Sequence, residues 1–181
     1  MVTSGKKRRL PQAERRSEVL NAALIEFGMQ GYDGTSTSMI ADRAGIQQPY
    51  IYALFENKRH LFLACHDELI DRILATFANA VEEEDSSHER IRKMGIAYIG
   101  LLDDDDGIRC HLQVFAAAGH DDLRDQIRAG FERTFTGISE ISGADPSSVA
   151  HFFATGMLLN AMKAIGEPDE MMDYLKIPRE G

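Results

Sequence analysis

The sequence predicts an all-α protein. Apolar residues recur at the three- and four-residue spacing of helices through most of the 181 residues. Alternating runs joined by hairpin turns such as Asn-Gly are missing, and Gly, Pro, Ser and Asp separate the helical segments. Together these patterns predict about nine helices, near residues 11–30, 37–44, 48–55, 58–81, 87–102, 107–119, 121–141, 146–165 and 168–175.

Composition favours one globular domain, or one domain with a small appendage, and 44% hydrophobic content permits a sizeable core. The longest apolar segment, 149–165, contains His151, Asn160 and Lys163, which predicts a buried helix rather than a membrane span. No apolar stretch follows the basic N-terminus, so we expect a cytoplasmic protein without a secretory signal. Cys65 and Cys110 are isolated, which predicts two reduced thiols.

Charge is divided unevenly along the chain, whose formal net charge is −9. Residues 1–60 contain nine basic and six acidic side chains, whereas residues 61–181 contain 11 basic and 23 acidic ones. A basic N-terminal third suits a polyanion-binding head on an acidic body. Ordinary surface variation would give the same pattern, so charge alone does not distinguish between these two explanations.

The first helix carries Leu20, Leu24 and Phe27 at i, i+4 and i+7, a stripe that predicts a face turned to the core. Gly31 is its stop signal.

Two short helices, 37–44 and 48–55, follow, and their spacing outlines a helix-turn-helix. A hydroxyl residue caps the first of them, Gly45 ends it, and Pro49 fits the first turn of the second. In this motif the second helix enters the major groove of DNA.

The side chains of this motif divide into two faces. Ile40, Ala41, Ile51 and Phe55 are expected in the core, while Gln47, Tyr50 and Leu54 point outward. An amide can pair with an adenine edge, and a phenol or an ammonium group can reach a phosphate. The candidate DNA-binding residues are Thr37, Gln47, Gln48, Tyr50, Tyr52 and Lys58.

Other interpretations of these residues stay open. The glutamines and Tyr50 would also suit a plain solvated face, and Tyr52 would suit core packing. The basic run KKRR at 6–9 is either a flexible DNA-binding arm or a disordered tail, such as one that a vector adds.

The helix near 58–81 has Leu61 and Phe62 at its start and Ile73 and Phe77 further along one side, so it is expected to link head to body. The predicted domains are a DNA-binding domain over 1–57 and a helical ligand-binding and dimerisation domain over 58–181.

The segment from Val19 to Phe62 resembles the DNA-binding region of the TetR (tetracycline-repressor) family of bacterial regulators. The matching features are Val19-Leu20, Ala22 to Leu24, Phe27, Gly31-Tyr32, Ile40-Ala41, Ala44 to Ile46, Tyr52, Phe55, Lys58 and Leu61. The resemblance covers about residues 10–65. Pro49 and Leu54 depart from the usual pattern, so the operator sequence is not transferred.

This resemblance implies a homodimer that binds a double-stranded, palindromic DNA operator and encloses a pocket for a small-molecule effector. The helix near 146–165 is apolar on nearly all sides, and small residues such as Gly156 would allow close helix approach. A central helix of a monomer is the alternative. The candidate dimer-interface residues are Phe153, Met157, Asn160, Ala161 and Ala164.

The predicted pocket combines aromatic and soft apolar side chains with a few polar groups. Its candidate residues are Met94, Tyr98, His111, Phe115, Phe131, Phe135, His151 and Phe152. Each would also suit plain core or surface. The histidine spacing predicts no metal site, no cofactor is expected, and the acidic runs at 82–85 and 103–106 suit solvated loops and helix N-termini.

No catalytic residues are predicted, because the sequence has no nucleophile elbow, phosphate-binding glycine loop or Cys-His signature. The leading interpretation is a ligand-responsive dimeric transcriptional regulator, a repressor released by a small hydrophobic or aromatic effector. The alternatives are a helical small-molecule-binding protein or enzyme with a vestigial helix-turn-helix, and a DNA-binding protein without ligand.

Overall fold

A computed structural model describes residues 11–166, and every element of regular secondary structure in this range is a helix. The all-α prediction is therefore confirmed. The elements are α1 Gln12–Gly34, α2 Thr37–Arg43, α3 Gln48–Leu54, α4 Lys58–Ala80, α5 Ser87–Leu101, α6 Asp105–Ala116, a 3₁₀ turn Ala117–Gly119, α7 Asp121–Ser142 and α8 Pro146–Ala164. The predicted helix at 168–175 and the basic run at 6–9 lie outside the described residues.

The first core cluster joins α1, α2, α3 and the start of α4. Leu20, Leu24 and Phe27 of α1 are all buried in it, as their spacing predicts. The helical path breaks at Gly31, whose φ of 70° lies in the left-handed region that favours glycine. The Thr35 hydroxyl then donates to the Gly31 carbonyl at 2.8 Å and closes the end of the helix.

The hydroxyl cap of α2 and the glycine in the turn before α3 are both present, as the sequence predicts. Ser36 caps α2 by accepting from the Met39 amide, and Gly45 adopts a φ of 64°. The Ile46 amide donates to the Ala41 carbonyl at 3.0 Å, which fixes the angle between the helices. Ile51 and Phe55 are buried beneath α3, so this helix presents its opposite face to solvent.

Helix α4 spans both parts of the molecule. Leu61, Phe62 and Cys65 belong to the first core cluster, whereas Phe77 and Ile73 belong to a second cluster in the body. Its 23 residues extend roughly 34 Å. Helix α4 therefore packs against both the head and the body, as expected. The domain boundary at residue 57 stays a prediction.

Both acidic runs lie at loops and helix N-termini, as expected. Asp104 caps α6 by accepting from the Gly107 amide at 3.1 Å. Asp85 accepts from Lys93, and this hydrogen bond lowers the pKa of the Asp85 carboxyl. Among residues 11–166, no helix is both long and apolar enough to cross a bilayer.

Candidate nucleic-acid interface and effector cavity

Three of the predicted DNA-binding side chains form one polar cluster at the start of α2 and α3. The Thr37 hydroxyl accepts from Gln48 Nε2 at 2.7 Å and lies 2.9 Å from the Tyr52 hydroxyl. Gln48 and Tyr52 are four residues apart, on one side of α3. Because Thr37 itself is buried, it anchors both side chains from below.

The solvent-facing side of α3 retains unused hydrogen-bonding capacity. Tyr50 is 40% exposed and Tyr52 is 48% exposed, so the interpretation of Tyr52 as a core residue does not hold. Gln47 is exposed and makes no side-chain cap for the helix. Leu54, expected to point outward, is half-buried and packs against the first core cluster. It does so because it follows Ile51 by three residues and shares its side of the helix.

The basic side chains of this region already have partners within the protein. Lys58 Nζ donates to the Thr35 carbonyl at 3.0 Å and lies 4.5 Å from the centre of the Tyr32 ring. Arg43 pairs with the buried Glu26 at 2.6 Å. The other cations described before residue 60, Arg15, Arg16 and Arg59, contact Glu18, the Phe55 ring and Asp122. A phosphate would therefore be bound by Lys58 in addition to its internal contacts.

Helix α6 packs directly against α1 of the head. A Cβ built on Gly28 would lie 3.1 Å from the Asp106 carbonyl oxygen and 3.2 Å from the Cys110 amide nitrogen. One built on Gly31 would lie 2.9 Å from the Gln113 side chain. The two backbones approach this closely only because α1 has glycine there. The head is thereby coupled to α6 as well as to α4.

The body contains a cavity of about 600 Å³, within the range of small-molecule sites. It lies between α5 and α8 and is closed by side chains of α4, α6 and α7. The two main walls run in the same direction, since Gly95 lies beside Phe152 and Gly156 lies beside Tyr98. The lining is mostly apolar, with Ile73, Phe77, Ile91, Ile96, Ile99, Ile138, Phe153, Met157 and Leu159 among its residues.

Four of the eight predicted pocket residues line this cavity, namely Tyr98, His111, His151 and Phe152. Met94 lies completely buried in the second core cluster behind the wall. Phe115 packs against the first core cluster and Phe135 against the second, so neither borders the cavity. Phe131 is 41% exposed on α7 and packs edge-on against Phe153 at 4.7 Å. The sequence reasoning missed the isoleucines of α5, although their spacing marks a second apolar side of that helix.

The predicted interface residues divide between two sides of α8. Phe153 and Met157 line the cavity, and Asn160 is buried, where its Oδ1 accepts from the Tyr98 hydroxyl at 2.7 Å. Asn160 therefore offers no surface to a partner chain, which corrects its assignment to the interface. Ala161 and Ala164 are exposed. The exposed apolar stripe consists of Ala154, Leu158, Ala161 and Ile165.

Hydroxyl groups around the cavity are already engaged. Ser147 and Ser148 donate to the Asp145 carboxylate, Thr155 donates to the His151 carbonyl, and Thr134 donates to the Gly130 carbonyl. These four residues therefore have no free donor for a ligand.

The side-chain nitrogens of Arg92, His111 and His151 keep unused hydrogen-bonding capacity at the cavity. Arg92 and His151 are exposed at one end, beside the start of α8. His111 is buried at the other end near Tyr98, and burial lowers the pKa of His111 to about 4. Burial likewise raises the pKa of Tyr98 to about 12, so both groups are uncharged near neutral pH.

The first part of the chain is similar to bacterial regulators. The family model described as bacterial regulatory proteins, tetR family, matches residues 19–65. The chain is 32% identical over 97 residues to the HTH-type transcriptional activator FasR of Mycolicibacterium smegmatis, covering 54% of this chain and 44% of that protein. It is 37% identical over 70 residues to the HTH-type transcriptional repressor ComR of Escherichia coli, covering 39% of this chain and 33% of that protein. The matched stretches thus span less than half of either relative.

Solved structures extend the likeness to the body. A TetR-family transcriptional regulator from Rhodococcus sp. superposes with a TM-score of 0.72 at 19% identity, covering 85% of this chain and 89% of that one. The fatty acid degradation regulator FadR from Bacillus halodurans has a TM-score of 0.68 at 17% identity, covering 95% and 90%. At these identities the likeness shows the fold alone.

Proposed function

We propose that this chain is a dimeric repressor of the tetR family of bacterial regulatory proteins, which a small apolar effector releases from a palindromic operator. The observation that carries the proposal is the pairing of a preorganised reading helix with an apolar cavity in one chain. Helix α6 lies between them, because it borders the cavity through His111 and packs against α1 at Gly28. Such a regulator acts in the cytoplasm, where bacterial DNA lies.

The exposed side of α3 is proposed to read the operator. Thr37 holds the side chains of Gln48 and Tyr52 in fixed positions, so little conformational entropy is lost when they meet a base edge. Gln47 and Tyr50 remain exposed beside them. Lys58, at the start of α4, is proposed to bind a backbone phosphate through its remaining N–H groups.

The cavity is proposed to bind the effector. Its apolar lining supports a hydrophobic molecule of modest size, with polar anchors limited to His111, His151 and Arg92. One protein of similar fold is named a fatty acid degradation regulator, which agrees with an effector that has an extended apolar body.

Dimerisation is proposed to use the exposed stripe of α8, which contains Leu158 and Ala161. An apolar helix face of this kind is expected to pack against its own copy about a twofold axis. Two reading heads would then enter successive major grooves on one face of the DNA.

The test is a footprint of the purified protein on the intergenic DNA next to its own gene, with and without apolar candidate ligands. Two protected half-sites about one helical turn apart, lost when ligand is added, are expected. The names of the relatives do not agree on the direction of regulation, since FasR is named an activator and ComR a repressor. A matched transcription assay therefore distinguishes repression from activation. Protection that ligand never alters would favour a DNA-binding protein without effector.

A further inference from the structure

We propose that His111 is the inner anchor of the effector cavity, and that the effector is an apolar molecule with a neutral hydroxyl or carbonyl group at the end that enters first. The inference rests on the proposed role of the cavity as the effector site. It adds the chemistry of the ligand and the direction in which it binds.

The first observation is an unsatisfied polar group at the inner end of an apolar cavity. His111 is 8% exposed and lines the cavity, and its Nδ1 is enclosed without a hydrogen-bond partner in the described part of the chain. A buried polar group without a partner is costly, so natural proteins seldom retain one. Because Nδ1 is itself enclosed, a ligand in the cavity would bond to the other ring nitrogen, Nε2, and this hydrogen bond would offset part of the cost of burying the ring.

The second observation is the geometry of the cavity. The α5 and α8 walls run in the same direction, with Arg92 and Ser148 at the exposed end and Tyr98 and Leu159 at the other. From Ser148 to Leu159 the α8 wall extends roughly 16 Å. A small void of about 50 Å³, which also borders Tyr98 and His111, lies beyond the inner end. The inner end is therefore polar at His111 and Tyr98, and the walls between the two ends are apolar.

The third observation is the absence of a free positive charge at the inner end among residues 11–166. The His111 ring is uncharged near neutral pH, because burial holds its pKa at about 4. Arg72, which borders the small void, is engaged by Glu68 at 2.9 Å and Asn21 at 3.0 Å. A carboxylate placed there would lose its hydration without gaining a counter-charge. A hydroxyl suits either tautomer of the ring, since it both donates and accepts.

Three probes of one shape test this inference on the full-length protein near neutral pH: naphthalene, 2-naphthol and 2-naphthoate. Dissociation constants are measured by fluorescence, and the imidazole ¹⁵N signals are followed by NMR. We expect 2-naphthol to bind about five- to tenfold more tightly than naphthalene, the factor for one net hydrogen bond. The naphthol should also shift the His111 ring signals, and 2-naphthoate should bind more weakly than 2-naphthol.

Variants separate the anchor from the cavity. His111→Phe should bind naphthalene and 2-naphthol equally, whereas His111→Gln should restore the preference for naphthol because it restores hydrogen bonding. His88→Gln, at an exposed histidine that does not line the cavity, is the matched control and should behave as wild type.

Each other outcome contradicts a distinct part of the account. A preference for naphthol that survives in His111→Phe, or 2-naphthoate as the tightest probe, would overturn the anchor. Equal binding of both neutral probes by wild type also overturns the anchor but leaves the effector cavity intact. Failure of wild type to bind any probe would overturn the cavity as the effector site, and the anchor with it.

Discussion

Gln48 Nε2 donates to Thr37 Oγ1 at 2.7 Å, and this hydrogen bond joins the first turn of the proposed reading helix to the first turn of the preceding helix. The same Thr37 oxygen lies 2.9 Å from the Tyr52 hydroxyl. Two side chains on the solvent side of α3 are therefore oriented by one buried residue. If these side chains contact DNA as proposed, their positions are set before binding, which favours specific over non-specific contact.

Thr37→Val should weaken operator binding although residue 37 need not touch a base. Valine keeps the shape of threonine and removes the hydroxyl, so Gln48 and Tyr52 lose their common partner. We expect the free energy of unfolding to fall by about 1 kcal/mol and specific DNA affinity to fall more than non-specific affinity. Urea unfolding and fluorescence anisotropy measure the two effects. Thr136→Val, at an exposed position of α7, should change neither.

Gly28→Ala should disturb the contact between head and body. The added methyl group would lie 3.1 Å from the Asp106 carbonyl oxygen, a backbone atom that cannot rotate away. We expect α1 and α6 to separate slightly and the free energy of unfolding to fall by about 1–3 kcal/mol. Thermal and urea unfolding provide the measurement.

Gly100→Ala is the matched control, because nothing lies within 4 Å of a Cβ at that position of α5. It should be neutral or stabilise the protein by up to about 1 kcal/mol. Equal effects of the two substitutions would show that close packing of α1 on α6 is unimportant.

Mild acid should destabilise the protein through its two buried histidines. Burial lowers the pKa of His66, and burial together with His66 lowers the pKa of His111 to about 4. Asp67 and the Ile127 backbone oppose the lowering of the His66 pKa, but burial outweighs them.

Since both folded-state pKa values lie below the unfolded value of about 6.5, the neutral rings contribute stability that is complete above that pH. It is lost as the pH falls towards 4, by up to about 1.4 kcal/mol per pH unit for His111. Urea unfolding between pH 5 and pH 7 measures the free energy of unfolding and can detect a change of ~1 kcal/mol. His111→Gln should flatten the dependence, while the exposed His88→Gln should leave it in place. An unaltered slope in His111→Gln would contradict this origin.

Ala161→Glu should give monomers. Ala161 lies on the exposed stripe of α8 together with Leu158, which is 41% exposed, and Ile165, which is 72% exposed. A charge there would be desolvated in a twofold interface, at a cost of several kcal/mol. Sedimentation equilibrium should show a dimer for wild type and a monomer for the variant. Ala78→Glu, at an exposed position of α4, should remain a dimer. A monomeric wild type at micromolar concentration would exclude the dimer.

The helix-turn-helix could be predicted because its signals are local. Ile40, Ala41, Ile51 and Phe55 are buried as their spacing indicates, and Gly45 has the positive φ that its position at the turn requires. These features depend on helical periodicity and turn chemistry within about twenty residues. The internal partners of Lys58 and Arg43 could not be foreseen, because Thr35 and Glu26 belong to other segments and no helical periodicity relates them to these cations.

The sides of α8 could not be assigned from the sequence. The helix is apolar nearly all round, so periodicity does not say which side meets the body. Phe153 and Met157 line the cavity, and Asn160 is buried, where its Oδ1 accepts from the hydroxyl of Tyr98, 62 residues earlier. Phe131 was expected in the pocket because it is aromatic, yet α7 places it at the surface.

The central claim, that α3 reads a specific DNA sequence, is tested most directly by one comparison of affinities. Dissociation constants are measured for the intergenic DNA next to the gene and for an unrelated duplex of equal length, at one salt concentration. Wild type should prefer its own DNA, and Gln48→Ala should lose about 1–3 kcal/mol of that preference with unchanged affinity for the unrelated duplex. A wild type that binds both duplexes equally, or a Gln48→Ala variant that keeps the full preference, would contradict the claim.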